Sequence, residues 1–250
     1  MKLCVPIPCF FGDLPFEAAV KKIGALGYRY AEIYDWKQLD LPKAADALAD
    51  ADVTLLSMCT TDFRLTDPDC RGAWLDGLKE SCEAAVKLGV RKLITQVGPD
   101  TGAPRALQHR SVVDGLRAGA QILADAGVTV MIEPLNTKVD HPGYYLTASD
   151  EAFDIVREAD SPHVKVVFDI YHQQISEGNI IPNITRNLDC IAHLHAAGHP
   201  GRNELQFGEN DYRNIFAAVD RAGYTGACGL EYRPILPPEE SLAAARALFA

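Results

Sequence analysis

The sequence predicts an α/β protein, a single (β/α)8 TIM barrel, as one domain over residues 1–250. Three observations support this prediction. Short β-branched runs alternate with Ala-rich amphipathic stretches, the alternation repeats eight times, and a Gly that suits a helix C-cap often stands before the next strand. Eight such units in a chain of 250 residues are typical of this barrel.

Eight segments are predicted as the strands. In chain order they are LCVPIP near Leu3, RYAEIYD after Gly27, VTLLSMC near Val53, RKLITQVG after Gly89, TVMIEP after Gly127, VKVVFDI near Val164, AHLHAAG near Ala192 and TGACGLEYRP after Gly223. Segments such as VKVVFDI are apolar on both faces, as parallel strands between helices and a packed interior are. A doubly wound open sheet is the alternative, but its G-x-G-x-x-G turn is missing after the first strand. The sixth and seventh units are the least regular.

The net charge and the hydropathy of the chain limit which kinds of partner it can bind. The net charge of -10 would repel a phosphate backbone, so we expect no nucleic-acid partner. No stretch approaches the roughly 20 uninterrupted apolar residues that a membrane span needs. Pro6, Pro8 and Asp13 interrupt the N-terminal stretch, which we interpret as a first strand and not a signal peptide. We predict a cytoplasmic protein that acts on a small molecule, and the sequence allows a homo-oligomer without predicting one.

Four ionisable residues lie at or near the ends of otherwise apolar strands. Glu133 ends TVMIEP, Asp169 ends VKVVFD, His195 lies in AHLHAAG, and Glu231 lies in ACGLEYRP. Catalytic groups of these barrels project from the C-terminal ends of the strands. Burial of such a group without a partner is costly, so something must compensate the four.

Two arrangements could compensate these charges. One is a salt-bridge network that closes the barrel, but three carboxylates meet a single His, and the nearest cation is Arg233. A divalent cation relieves the repulsion more simply, so we favour a metal site in which Glu133, Asp169, His195 and Glu231 are the ligands. Oxygen-dominated ligation with one imidazole suits Mn2+ or Mg2+, and Co2+ is also allowed.

Such a site suits proton transfer next to a carbonyl group. An octahedral ion with four side-chain ligands keeps about two positions for the adjacent oxygens of an α-hydroxycarbonyl group. Chelation acidifies the neighbouring C–H. Glu133 and Glu231 come from the fifth and eighth strands, on separated sides of the ring, so one could remove a proton and the other return it.

Four segments together resemble one branch of a known superfamily. They are residues 132–147 (IEPLNTKVDHPGYYLT), FDIYHQQISEGN from Phe168, HLHAAGHPGRNELQFGEND from His193 and LEYRP from Leu230. Their order and spacing resemble the sugar isomerase/epimerase-like TIM barrels, which include xylose isomerase, ketose 3-epimerases and endonuclease IV, and most closely the hydroxypyruvate isomerase family. The N-terminal half shares only the strand rhythm.

The resemblance implies roles for single residues. It implies that Glu133 and Glu231 are the acid/base pair as well as ligands, and that His172, in D-x-x-H, binds substrate. Arg202 would pair with the carboxylate of a 2-oxo acid, a task that suits a guanidinium, although it could also be a solvated loop residue. Lys138, on the loop after Glu133, is a candidate second anion contact.

The position of His195 departs from the pattern, since Gln is common there in hydroxypyruvate isomerases and His in ketose 3-epimerases. Against the epimerases, Val139 stands where an acidic residue is expected six positions after Glu133, and Arg202 follows His195 by seven positions instead of six. The leading prediction is an isomerase of a small hydroxy-oxo acid that works through an enediolate. Its substrate would be hydroxypyruvate, which becomes tartronate semialdehyde, or a 2-oxo-tetronate.

A ketose 3-epimerase is the nearest alternative. An enzyme of the endonuclease IV type should carry many more His ligands and a basic face. An inactive sugar-acid-binding barrel would not keep both Glu133 and Glu231. His193 is expected inside the barrel beside the ligands. Aromatic residues near the ends of the first three strands are candidates for one wall of the pocket; they are Phe10, Phe11, Tyr34, Trp36 and Phe63.

Overall fold

A computed structural model describes residues 1–61 and 64–248 of the chain. Within these residues, parallel strands close into a barrel in which each strand pairs with its neighbours in sequence and the first pairs with the last. The strands are β1 (Lys2–Pro6), β2 (Tyr30–Glu32), β3 (Thr54–Cys59), β4 (Lys92–Thr95), β5 (Thr129–Ile132), β6 (Val164–Asp169), β7 (Ile191–His195) and β8 (Ala227–Gly229). The predicted (β/α)8 barrel is confirmed.

Helices connect the strands. They are α1 (Ile7–Phe10), α2 (Phe16–Ala25), α3 (Leu41–Asp50), α4 (Arg71–Leu88), α5 (Arg105–Ala126), α6 (Ser149–Ala159), α7 (Ile170–Ser176), α8 (Ile180–Thr185), α9 (Tyr212–Arg221) and α10 (Pro238–Ala247). Gly89 and Gly127 cap α4 and α5 with φ of 72° and 62°, in the left-handed region that favours glycine. No helix in the described part of the chain has both the length and the hydropathy to span a bilayer.

The apolar core has two parts. The larger part fills the space between the strands and the helices, and a small separate cluster of Ile94, Met131 and Val167 fills the barrel interior. Side chains two residues apart on a strand point to the same face. Glu133 and Asp169, two residues beyond Met131 and Val167, therefore lie above this cluster, at the C-terminal mouth.

Two register shifts interrupt the barrel next to polar side chains. Between β2 and β3 the shift brings Glu32 opposite Ser57, and between β6 and β7 it brings Val167 opposite His193. Such bulges re-aim side chains and are frequent beside active sites. In this barrel they set polar groups of three strands at a common depth.

Candidate active site

The four predicted ligands meet at the C-terminal mouth of the barrel. Asp169 and His195 are the last residues of β6 and β7, Glu133 directly follows β5, and Glu231 lies two residues after β8. Glu133, Asp169 and His195 are buried, and the side chain of Glu231 is 13% exposed. Glu133, His195 and Glu231 line a cavity of about 490 Å3.

The two carboxylate oxygens of Asp169 have different surroundings, because Asp169 is both the last residue of β6 and the N-cap of α7. Its Oδ1 accepts hydrogen bonds from the backbone N–H of Tyr171 (2.7 Å) and His172 (3.4 Å), so it caps the N-terminus of α7. Its Oδ2 has no hydrogen-bond partner among the described residues. One oxygen of the carboxylate is therefore fixed by the helix, and the other remains available in the site.

Two further atoms of the predicted ligands are also buried without a partner among the described residues. Oε1 of Glu133 and Nδ1 of His195 are buried without a hydrogen-bond partner in the described chain. The two atoms lie 3.6 Å apart, and Oε2 of Glu231 lies 3.5 Å from the same nitrogen. A buried polar atom left without a partner costs about 1–3 kcal/mol. Carboxylate oxygens and an imidazole nitrogen that face one another in a buried space form an arrangement that a divalent cation fits.

The pKa values of the carboxylates reflect the same crowding. Burial raises the pKa of Glu133, and burial together with the charge of Glu231 raises the pKa of Asp169 to about 7. For Glu231, burial acts in the same direction, but His195 and Arg202 outweigh it and lower its pKa. The two candidate acid/base residues therefore sit in electrostatically different surroundings.

Distance alone would also allow His172 as a ligand. A nitrogen of its ring and one oxygen from each of Glu133, Asp169 and Glu231 lie within 4.8 Å of one another. Which ring nitrogen carries the proton decides the question, because a protonated nitrogen has no electron pair for a metal.

Asn136 sets that tautomer. Its Oδ1 accepts from the backbone N–H of Val139 (2.9 Å) and Asp140 (3.2 Å), so its amide nitrogen must be the group that lies 2.6 Å from Nδ1 of His172. Burial lowers the pKa of His172 to about 3, so the ring is neutral and its proton is on Nε2. His172 thus directs an N–H towards Oδ2 of Asp169 at 3.5 Å, and this tautomer argues against His172 as a metal ligand.

Arg202 lines the cavity and is held from several sides. Its Nη2 donates to Oε2 of Glu231 at 2.6 Å, and its Nη1 lies 3.6 Å from Oδ1 of Asp140. The guanidinium also lies over the ring of Tyr171, 5.0 Å from its centroid. A guanidinium has five N–H donors, so these contacts leave donors for a ligand.

The predicted role of Lys138 is not supported by its position. Its Nζ donates to the carbonyl oxygens of Ile175 (2.8 Å) and Ser176 (3.3 Å) at the C-terminal end of α7, and the residue is exposed and outside the cavity lining. A second arginine, Arg233, also lines the cavity and is exposed to solvent.

Of the predicted aromatic wall, Tyr34 lines the cavity. Phe10 packs edge-on against Tyr232, and Nε1 of Trp36 donates to the carbonyl oxygen of Cys59. Phe11 is buried in the core, and Phe63 lies outside the described residues.

One important residue was missed. Glu32, at the end of β2, is 1% exposed and contacts His193 and His195 beneath the four predicted ligands. It carries the signal that identified the others, an acidic residue at the end of an apolar strand.

Comparison with known proteins places the chain. A model of the xylose isomerase-like TIM barrel family matches residues 19–250. The 2-oxo-tetronate isomerase of Pectobacterium atrosepticum is 35% identical over 96% of this chain and 95% of its own. Hydroxypyruvate isomerase of Escherichia coli is 28% identical over 97% of both chains. The 2-oxo-tetronate isomerase of Cupriavidus necator is 41% identical over 132 residues, about half of each chain. The resemblance found in the sequence is confirmed.

Solved structures share the fold. One described as an AP endonuclease, family 2, from Brucella melitensis has a TM-score of 0.93 at 25% identity and covers 99% of both chains. A D-allulose 3-epimerase from Methylomonas sp., solved with D-allulose, has a TM-score of 0.81 at 20% identity and covers 100% of this chain and 90% of its own. One barrel architecture thus serves several chemistries, and the choice among them rests on the site.

Proposed function

Since the chain belongs to the xylose isomerase-like TIM barrel family, we propose that it is a metal-dependent isomerase of a small hydroxy-oxo acid, such as hydroxypyruvate or a 2-oxo-tetronate. The observation that carries this proposal is the crowding of buried carboxylates at the mouth of the barrel: Glu133, Asp169 and Glu231 offer oxygens within 4.8 Å of one another, and Nδ1 of His195 lies 3.6 Å from Oε1 of Glu133. Relatives that match nearly the full length are named as isomerases of these acids.

Glu133, Asp169, His195 and Glu231 would hold the ion, and three carboxylates with one imidazole favour Mn2+ or Mg2+, with Co2+ as a third choice. When bound, the ion would polarise the α-hydroxycarbonyl group of the substrate and acidify the adjacent C–H. Oδ1 of Asp169 remains on the N-terminus of α7, so this ligand is held in place by the helix that it caps.

Glu133 and Glu231 move the proton. With hydroxypyruvate, one carboxylate takes a proton from C3, a proton returns to C2, and the hydroxyl proton passes from O3 to O2. The ketone thus becomes an alcohol and the alcohol becomes the aldehyde of tartronate semialdehyde, without net oxidation. The raised pKa of Glu133 and the lowered pKa of Glu231 make the two carboxylates unequal partners in this exchange.

Three side chains would bind the substrate. Nε2–H of His172 donates to a substrate oxygen beside Asp169, because Asn136 holds the ring in that tautomer. Arg202 and Arg233 supply positive charge to the cavity for the carboxylate of the acid. Arg202 is also in contact with Glu231, so it connects recognition of the acid to the proton-transfer pair.

The test is hydrogen exchange and turnover in deuterated water. We expect the purified protein to convert hydroxypyruvate or 2-oxo-tetronate with deuterium incorporation at the carbon that receives the proton, and EDTA to abolish both until Mn2+ is restored. Arg202→Ala should raise KM for the acid more than tenfold, which corresponds to a loss of at least about 1.4 kcal/mol. Absence of metal-dependent exchange into either acid would refute the proposal.

A matched control is Arg157→Ala, which removes an exposed arginine that contacts Asn187 on the outside of the barrel, and it should leave KM unchanged. A ketose 3-epimerase would instead turn over a neutral ketose, and Arg202→Ala would leave its KM for that ketose nearly unchanged. The net charge of -10 argues against a DNA substrate for this barrel.

A further inference from the structure

A second polar cluster lies directly under the proposed metal site. Three groups converge on Oε2 of the buried Glu32: Oγ of Ser57 at 2.6 Å, Nε2 of His193 at 3.1 Å and Nε2 of His195 at 3.4 Å. The residues come from β2, β3 and β7, and the register shifts described above bring them to the same depth.

The contact with Glu32 determines which ring nitrogens of His193 and His195 carry protons. An ionised carboxylate only accepts hydrogen bonds, so Nε2 of His193 and Nε2 of His195 both carry a proton. In a neutral His195 the electron pair is then on Nδ1, the atom that faces Glu133 at 3.6 Å and Glu231 at 3.5 Å. Metal-binding histidines commonly donate their other N–H to a carboxylate, which orients the ring and sets its tautomer.

The barrel leaves room for this carboxylate at one position on β8. A Cβ on Gly229 would collide with Oε1 of Glu32 and would lie 2.8 Å from Cδ2 of His195. The glycine has no left-handed φ, so its backbone conformation does not demand this residue type. The space beside Gly229 therefore serves the pair formed by Glu32 and His195.

We infer that Glu32, seated against Gly229 and supported by Ser57 and His193, is a positioning residue that holds His195 with Nδ1 directed at the metal ion. This inference rests on the proposed metal site and adds a residue that is not itself a ligand. Glu32, His193 and His195 also lie close enough to hold an ion between them. The histidine nitrogens that face Glu32 both carry a proton and so have no electron pair for an ion, and the cluster is expected to bind none.

The experiment is a Mn2+ titration followed by electron paramagnetic resonance, with Glu32→Ala and Glu32→Gln. We expect one Mn2+ per wild-type chain and a Kd that rises about 10- to 100-fold in Glu32→Ala, the usual cost of losing such a partner. In Glu32→Gln the amide oxygen still accepts from Nε2–H, so its Kd should lie much closer to the wild-type value.

A second readout separates ligand orientation from general destabilisation. The electron spin echo of bound Mn2+ should show nitrogen modulation from the imidazole in the wild type and in Glu32→Gln, and this modulation should weaken in Glu32→Ala. The matched control is Glu151→Ala, since Glu151 also accepts from a hydroxyl (Tyr145, 2.6 Å) and a histidine (His109, 3.3 Å), but lies on α6 outside the barrel. Its loss should leave both the Kd and the echo unchanged.

The outcomes are distinct. If the wild type binds no Mn2+, the proposed function fails. If the wild type binds it and Glu32→Ala binds it equally well with an unchanged echo, the inference is wrong. Two ions per chain, with one lost in Glu32→Ala, would make Glu32 a ligand and would also overturn it. If Glu32→Ala does not fold, Glu32→Asp decides, because the shorter side chain withdraws the carboxylate from Nε2 of His195 without removing a charge: a raised Kd supports the inference and an unchanged Kd refutes it.

Discussion

Two polar layers lie one above the other inside the barrel, and they differ in how their charges are matched. In the lower layer the acceptor Glu32 meets the donors Ser57 and His193. In the upper layer the carboxylates of Glu133, Asp169 and Glu231 face one imidazole and one guanidinium. Both layers hold a buried carboxylate oxygen without a hydrogen-bond partner among the described residues, so the difference lies in the balance of charge. His195 belongs to both layers, since its Nε2 faces downward and its Nδ1 upward.

The two layers show that partners decide the role of a buried carboxylate. Burial opposes ionisation of both Glu32 and Asp169, but His195 and His193 outweigh it and hold the pKa of Glu32 well below its usual range. Burial and the charge of Glu231 raise the pKa of Asp169 to about 7. The lower layer sets one carboxylate against two imidazoles and a hydroxyl. The upper layer sets three carboxylates against one imidazole and one guanidinium, so its excess negative charge is what a cation would neutralise.

The largest difference between the layers should appear in turnover. Glu133→Gln keeps the shape of the side chain but removes a group that transfers a proton, so we expect kcat at saturating Mn2+ to fall about 10²- to 10⁴-fold. Glu32→Gln, measured under the same conditions, should lose far less, because its amide oxygen can still hold His195. A Glu133→Gln enzyme within tenfold of the wild type would show that Glu133 is not part of the acid/base pair.

Without metal, substitutions in the two layers should change the free energy of unfolding in opposite directions. The pKa of Asp169 is raised from 3.8 to about 7 in the folded chain, so its contribution is fully present below pH 4 and is lost as the pH rises through 7. Asp169→Asn keeps an oxygen that caps α7, and it removes the destabilisation that ionised Asp169 causes above pH 7. In EDTA at pH 8 we expect it to raise the free energy of unfolding, on the order of 2 to 4 kcal/mol, with the gain vanishing near pH 4.

Glu32→Gln is the counterpart in the lower layer. The pKa of Glu32 is lowered, so its ionised form stabilises the fold at neutral pH and Glu32→Gln should lower the free energy of unfolding there. Denaturant unfolding in EDTA at pH 4 and pH 8 measures both effects. If both variants change stability in the same direction at pH 8, the contrast between the layers is wrong.

The sequence was most informative where a single residue type indicates a local feature, such as a glycine at a turn or a charged residue at a strand end. Gly27, Gly89, Gly127 and Gly223 mark turns, and all four have positive φ. The strand ends were recognised because a charged residue in an apolar strand is costly unless its position is functional. Strand periodicity then directed Glu133 and Asp169 into the barrel mouth.

What could not be predicted depends on distances between strands and on side-chain direction. Glu32 has the same strand-end signal, but its importance depends on Ser57 and His193, which reach it only through two bulges that no local pattern announces. Lys138 lies on the expected loop, but its flexible side chain reaches the carbonyl oxygens at the end of α7 instead of the cavity. The tautomer of His172 depends on Asn136, whose own orientation is set by two backbone N–H groups.

The smallest expected effect concerns His195, the residue that joins the layers. His195→Gln would replace the imidazole with an amide oxygen, so the site would become all-oxygen and the contact with Glu32 would be lost or altered. Imidazole favours Mn2+ over the harder Mg2+, so we expect the Kd for Mn2+ to rise relative to the Kd for Mg2+, by less than tenfold in their ratio. Competition between the two ions in the same titration measures the ratio directly. A variant with unchanged preference for Mn2+ over Mg2+ would mean that Nδ1 of His195 does not contact the ion, and that the two layers are independent.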